Sequence, residues 1–492
     1  MLKDLKYTIK HSGIYGLSRV ASKALSFVFI PLYTSVYTAD GIANINLIET
    51  FWQYLLTICL FGFEATIITH CANLNEDERK KSLFNFFSIL IVNCLIFLSI
   101  GIFFKQNISD LMFKQPAYAN VIFYSFLICI FESLITIPLC IARLKHKPGL
   151  YSAIALSSLF INFFLQIYFV YFAHKEFDFI FIAKFAAPAL VFIATIPFVI
   201  SNLKIDFNKE NIKHIIDFSF FWMLYAMMSI LLNTVDRYIL VYFVSKEQIA
   251  IYTQGYAIGS LTNALIVAPF TLAFSGIFFK KVGEENSARY FTKMSTYLYL
   301  TMIFVSLVAA LIMPEAIKIF VRNPKLWDAI TTIRIILFAN CISSLFNVIG
   351  LAFLYKKESR IITWYTLIAL VFNVAGNLIF IRYFGIYAAG VLSVLSYLLL
   401  IVMLYEKSKK YYFIKFETYK LILLSILYVG LVYLSTITKS DSIFINFLID
   451  ILLIITFFAL LYFGRFFENI ELYAVKGAIN KYLKINLFRK TS

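Results

Sequence analysis

Two cations buried in an apolar run are the first residues here that could do chemistry. Gly13 to Tyr37 reads GIYGLSRVASKALSFVFIPLYTSVY, long enough to cross a bilayer, yet it holds Arg19 and Lys23. A charge at membrane depth costs between about 2.5 and well over 10 kcal/mol, so such residues turn towards a bundle interior or a wet cavity. On a helix the two share one face with Ser12, Gly16 and Ser26, while Ile14, Leu17, Ala21, Leu25 and Val28 cover the opposite side. A basic stripe of this kind suits an anion, because Arg makes forked contacts to phosphate oxygens. The competing expectation is that Arg19 snorkels to headgroups and Lys23 pairs with an acid on a neighbouring helix.

Glu132, in FESLITIPLC, lies midway along a later apolar run and is the natural partner for Lys23. Glu49 and Gln53 share a face with Asn46, and Glu64 lies near the inner end of the same run. Ser219, Trp222, Ala226, Ser229, Asn233, Asp236 and Arg237 fill one sector of a seventh run. A local Asp236–Arg237 salt bridge is the plainer alternative there. The acids Glu49, Glu64, Glu132 and Asp236 are thus expected to form ion pairs or to couple transport to H+ or Na+. Lys184 and Arg334 lie only six or seven residues inside their runs, where snorkelling is favoured.

These side chains need helices to hold them. The 492 residues are 61% hydrophobic and 14% charged, with mean hydropathy +0.83. Soluble domains are nearer half apolar and a quarter charged, so the expected class is an all-α polytopic membrane protein. Runs of about 20 apolar residues can span. Fourteen are expected, at 11–36, 41–71, 83–104, 118–141, 149–173, 178–202, 213–243, 248–278, 290–313, 327–354, 361–382, 385–405, 417–437 and 443–464. Lys3, Lys6 and Lys10 precede a first run that is too long for a signal peptide and lacks a small-residue cleavage site. That run is expected to stay in the protein.

The net charge of +17 fits loops facing anionic headgroups rather than nucleic acid. Of 44 Lys and Arg, 31 fall in alternate connections and the termini, nine in the opposite set and four within spans. By the positive-inside rule both termini are cytoplasmic. No connection exceeds about 15 residues, and no P-loop, Rossmann glycine pattern or H-E-x-x-H motif occurs. The expectation is therefore no enzyme, no cofactor and no metal. The six cysteines, without C-x-x-C spacing, read as apolar packers, and the five histidines as interfacial residues. The tail from Phe466 to Ser492 alternates apolar residues with lysines, as an amphipathic helix on the inner leaflet would.

YTADGIANINLIE (Tyr37 to Glu49) and VSKEQIAIYTQGY (Val244 to Tyr256) both place a polar turn before Ile-Ala. Six spans separate them, as in carriers built from parallel repeats. The organisation expected is an N-terminal lobe over 1–205 (helices 1–6), a C-terminal lobe over 206–410 (helices 7–12), and helices 13–14 with the tail over 411–492.

Three stretches carry a resemblance. SFVFIPLYTSVYTADGIANINLIE followed by LFGFEATIITH is similar to the start of polysaccharide-unit flippases. NTVDRYILVYFVSKEQIAIYTQGYAIG resembles their Asp-Arg-Tyr segment, and FNVAGNLIFIRYFGIYAAGVLSVLSYLLL resembles the Asn-rich helix, Tyr-Gly turn and small-residue helix near their end. The turn Thr38-Ala39-Asp40-Gly41-Ile42-Ala43 departs from the usual acidic-Tyr-Gly run. The resemblance implies an O-antigen or capsule repeat-unit flippase of the multidrug/oligosaccharidyl-lipid/polysaccharide exporter superfamily, in the bacterial inner membrane. It implies an undecaprenyl-pyrophosphate-linked oligosaccharide as substrate, with polymerase and chain-length proteins of the same pathway as partners. Arg19 and Lys23 match the cationic first helix, and Asp236 with Arg237 the second-lobe motif. Sugars would then meet Asn46, Gln53, Trp222, Tyr225, Asn233, Gln254 or Asn263, each of which could equally be helix–helix glue. Alternatives are a cation-coupled drug exporter, which needs an acid-dominated cavity, and a membrane polymerase or ligase, which commonly carries a long external loop.

Overall fold

The computed structural model describes residues 29–468 apart from 30, 72–73, 114–115, 146, 174–175, 286, 322, 357, 439 and 441. All regular elements among these residues are helices. The first half contains α1 (Ala39–Leu60), α2 (Phe63–Cys71), α3 (Glu76–Phe113), α4 (Ala119–Leu144), α5 (Pro148–Ile167) and α6 (Asp178–Ile200). There follow α7 (Lys209–Phe243), α8 (Lys246–Gly259), α9 (Ala268–Lys281), α10 (Ser287–Phe320), α11 (Ala329–Ser344) and α12 (Phe346–Tyr355). The chain continues with α13 (Ser359–Phe384), α14 (Ile386–Ser408), α15 (Thr418–Ile437) and α16 (Ile443–Phe463).

Among the described residues, 11 helical segments are long and apolar enough to cross a membrane. This is a multi-pass membrane protein. The expected count of fourteen differs for identifiable reasons. Most of the first run lies outside the described residues, as does the tail beyond Glu468. The second and eighth runs are broken helices. Phe61 (φ 52°) and Gly62 (φ 72°) adopt left-handed backbone and separate α1 from α2. At Gly62 a Cβ would stand 2.7 Å from the Ser219 carbonyl oxygen and 2.9 Å from the Met223 nitrogen, so both the backbone and the approach of α7 demand glycine there. Between α8 and α9 the chain widens into a π-turn over Asn263–Val267.

Two large hydrophobic cores result. One joins α1 to α4 and α6 and takes in Ile215 of α7, with a small cluster of Ile135, Ile154 and Val191 holding α5 beside it; the other joins α7 to α16 and takes in Ile42 and Ala43 of α1. We refer to these as the first and second bundles. The repeated motif lies where they meet, in matched positions. Thr38 accepts a hydrogen bond from the Gly41 amide and Ser245 from the Gln248 amide, each capping a helix N-terminus. Both Ile-Ala pairs are buried. Asn46, 207 positions before Thr253, donates to its hydroxyl at 2.9 Å. Residues equivalent in the repeat therefore touch each other across the junction.

α15 and α16 lie against α10, and Arg334 of α11 ties α10 to α15. Its guanidinium donates to the Ala310 carbonyl (3.2 Å) and the Ser435 hydroxyl (3.1 Å), while Tyr428 donates to the Arg334 carbonyl at 2.8 Å. At 9% exposure Arg334 does not snorkel as expected. Depth alone suggested water within reach, but α10 and α15 cover that face and supply the acceptors.

At the end of the molecule where the cation-rich loops gather, Lys293 meets Glu417 (3.0 Å) and Glu468 (2.5 Å), and Lys420 meets Glu417 (3.0 Å). Burial acts to raise the Glu417 carboxyl, but Lys293, Lys420 and Thr296 outweigh it and hold it below the usual carboxylate range. A lowered folded-state value means this clamp contributes stability above the unfolded value and loses it as pH falls through the folded one. Glu417→Gln is accordingly expected to lower the unfolding temperature at neutral pH, with the gap to wild type closing below about pH 4. Melting curves of both proteins in one detergent across pH would check this; a gap that persists in acid would contradict it.

Candidate functional site

The two bundles meet along an antiparallel pair of helices, α1–α2 against α7, and the contact is polar along its length. From one end to the other, Tyr238 donates to the Leu47 carbonyl (3.1 Å), Arg237 Nη1 to Thr50 (2.8 Å), and Tyr54 and Thr234 share a bond of 2.6 Å. Past the break at Gly62, Ser219 donates to Thr66 at 3.0 Å, and the rings of His70 and His214 stand 5.5 Å apart. The histidines, expected as scattered interfacial residues, here include one pair that spans the junction.

Periodicity on α7 accounts for this arrangement. Residues from Ser219 to Arg237 in one sector face α1, α2 and the interior of the second bundle. Asp236, 1% exposed, accepts from the Tyr252 hydroxyl and from the Arg237 amide at 2.8 Å. Arg237 reaches across the junction instead of pairing with its neighbour, and its guanidinium carbon lies 4.8 Å above the Tyr256 ring. An arginine has five N–H donors. Among the described residues this one makes a single side-chain hydrogen bond, and its buried Nε has no partner. Asn233 accepts from Tyr256 (3.1 Å) and Tyr397, and donates to the Ser229 carbonyl at 2.6 Å. Trp222 packs its Cβ against Gly62, and its ring lies 6.1 Å from that of Tyr225.

A second charged group lies one face further round α1. Lys184 of α6 pairs with Glu49, its ammonium 5.5 Å from the Trp52 ring and 5.8 Å from Phe181. The Lys184 side chain is only 14% exposed. Snorkelling was the expectation here too; a carboxylate and an aromatic face inside the bundle satisfy the ammonium instead. Glu132 of α4 faces the same region, within the field of Lys184, and makes no hydrogen bond or ion pair with its carboxylate among the described residues. Glu64 lies on α2, close enough to act on Cys140 of α4. Gln53 makes no side-chain hydrogen bond among the described residues, while its carbonyl accepts from Thr57 at 2.9 Å. Arg19 and Lys23 lie outside the described residues, and with them the expected Lys23–Glu132 pair. All six cysteines are buried.

The structure therefore brings Asn233, Asp236, Arg237 and Trp222 to the junction, and places Glu49 and Glu132 inside the first bundle with Lys184. Thr50, Tyr252, Tyr256 and Tyr397 complete the Arg237 environment and were not singled out from sequence. The Tyr252–Tyr256 pair, four apart on the same helix as Gln254, was the available signal. Hydroxyls, amides and one under-used guanidinium between two bundles can replace the hydration of a polar, anionic group.

The profile of the family described as polysaccharide biosynthesis protein matches residues 9–281, more than half of the chain. No curated protein matches. Among solved structures, the chain superposes on the lipid II flippase MurJ in an inward closed conformation with a TM-score of 0.72 at 15% identity, covering 93% of this chain and 100% of that one. An inward-facing multidrug resistance transporter of the MATE family gives 0.62 at 13% identity, covering 80% and 97%. A point mutant of the Vibrio cholerae MATE transporter VcmN gives 0.57 at 13%, covering 82% and 96%. The chain shares the fold of these solved structures.

Proposed function

The chain belongs to the polysaccharide biosynthesis protein family, and on that premise we propose that it is a flippase for undecaprenyl-pyrophosphate-linked oligosaccharide, of the O-antigen or capsule type. The cation-rich end faces the cytoplasm of a bacterial inner membrane in this reading. Residues 1–205 and 206–410 act as two lobes that rock about their junction, and 411–492 supplies the accessory helices and tail. The observation that carries the reading is the polar junction itself. A seam that only held two bundles together in lipid can do so with small residues and paired polar side chains; this one sets a half-buried arginine there, leaves most of its donors unused among the described residues, and places tyrosine side chains around it. A pyrophosphate cannot enter hydrocarbon unaided, and guanidinium donors in a low-dielectric site replace its water. Arg19 and Lys23 would supply further cations from the opening helix. Glu132, a carboxylate inside the first bundle without a partner among the described residues, is the group through which a proton would couple.

The test is genetic and chemical together. Cells lacking the chain are expected to lose surface glycan and to accumulate lipid-linked repeat units, and the intact chain restores display. Arg19→Ala with Lys23→Ala at equal protein level does not restore it. Unaltered surface glycan in the deletion strain sinks the reading.

A further inference from the structure

At the end opposite the cation-rich loops, three connections of the second bundle line a half-open cleft of about 580 Å³. Its walls are the start of α8 (Glu247, Gln248), the turn before α11 (Lys325, Asp328) and the α13–α14 turn (Phe384, Tyr387). That volume lies within the roughly 300–1,000 Å³ of small-molecule sites. The cleft is unlike the junction in both place and chemistry. Phe384 (63% exposed) and Tyr387 (45%) offer ring faces, while Glu247 and Lys325 hold each other at 3.6 Å. The Asp328 carboxylate has no hydrogen-bond or ion-pair partner among the described residues. Between the rings, Gly385 (φ 56°) has no atom within 4 Å of where a Cβ would stand, so the floor is open.

Two carboxylates against one ammonium leave the cleft negative, which disfavours phosphate. An aromatic face beside carboxylate, amide and ammonium groups matches instead a pyranose ring, which has an apolar C–H face and a rim of hydroxyls that both donate and accept. We propose that this cleft binds the saccharide part of the substrate on the far side of the membrane, holding the oligosaccharide while its pyrophosphate leaves the junction. The proposal rests on the flippase reading for its substrate, but its binding chemistry can be tested apart from it.

The probe is free oligosaccharide released by mild acid from the host's own surface polysaccharide, added to the full-length protein in lipid nanodiscs and read by saturation-transfer NMR. Wild type is expected to bind it. Tyr387→Ala should weaken binding by about five- to tenfold, the loss one aromatic contact produces, and Tyr387→Phe should retain it. Asp328→Asn with Glu247→Gln should weaken it comparably, and inorganic pyrophosphate should not compete. Equal binding by wild type and Tyr387→Ala, no binding by wild type, or displacement by pyrophosphate would each overturn the proposal. Surface display in the same strains separates the two ideas. If display depends on the chain while binding ignores the cleft, only this proposal falls; if display is independent of the chain, the flippase reading falls.

Discussion

Replacing Arg237 by Ala is expected to reduce surface glycan by about ten- to a hundredfold at unchanged protein level. A charge-assisted hydrogen bond contributes roughly 1.5–3 kcal/mol, and a loss of that size in the rate-limiting state is a change of about one to two decades. Arg237 is the described cation that lies between the bundles with donors to spare, bonded through one nitrogen to Thr50 at 2.8 Å. Arg237→Lys keeps the charge and loses the planar fork, so an intermediate level is expected. Thr50→Val removes only the bridging bond and should cost far less. Display in Arg237→Ala equal to wild type would mean that the guanidinium merely ties two helices together.

The second large effect concerns stability rather than transport. Lys184→Ala leaves Glu49 inside the first bundle without the ammonium that neutralises it, beneath Trp52. Removing one partner of a buried ion pair costs about 3–5 kcal/mol, whereas removing both can be nearly neutral. Lys184→Ala and Glu49→Gln are each expected to lower the unfolding temperature strongly, and the two together to recover much of the loss. Melting temperatures of the four proteins in one detergent form a double-mutant cycle. Additive losses would show that the pair carries no coupling.

How far these arguments could be made from sequence depends on what each residue needs. The face of α7 from Ser219 to Arg237 was legible because a 3.6-residue period is a property of one helix, and that face is the one turned to the junction. Its partners were not legible. Tyr397 lies 164 positions from the Asn233 it bonds, and Thr50 lies 187 from Arg237; periodicity names a face but not what covers it. Lys184 and Arg334 were misjudged for the same reason. Their depth along the helix was right, yet Glu49 and Trp52 in one case, and Ala310 and Ser435 in the other, offered partners closer than the headgroups. The second run hides a break at Gly62, where an apolar stretch conceals a turn that suits glycine. The two stretches of the faint repeat around Ile-Ala meet at the junction, where Asn46 donates to Thr253.

The turn at Phe61–Gly62 has a mechanical consequence. It divides only one side of the junction. The Thr50–Arg237 and Tyr54–Thr234 bonds hold α1, and the Thr66–Ser219 bond and the His70–His214 rings hold α2, while α7 runs unbroken past both. α1 can therefore tilt on α7 without dragging α2 with it, so contacts at one end of the junction need not loosen when those at the other do.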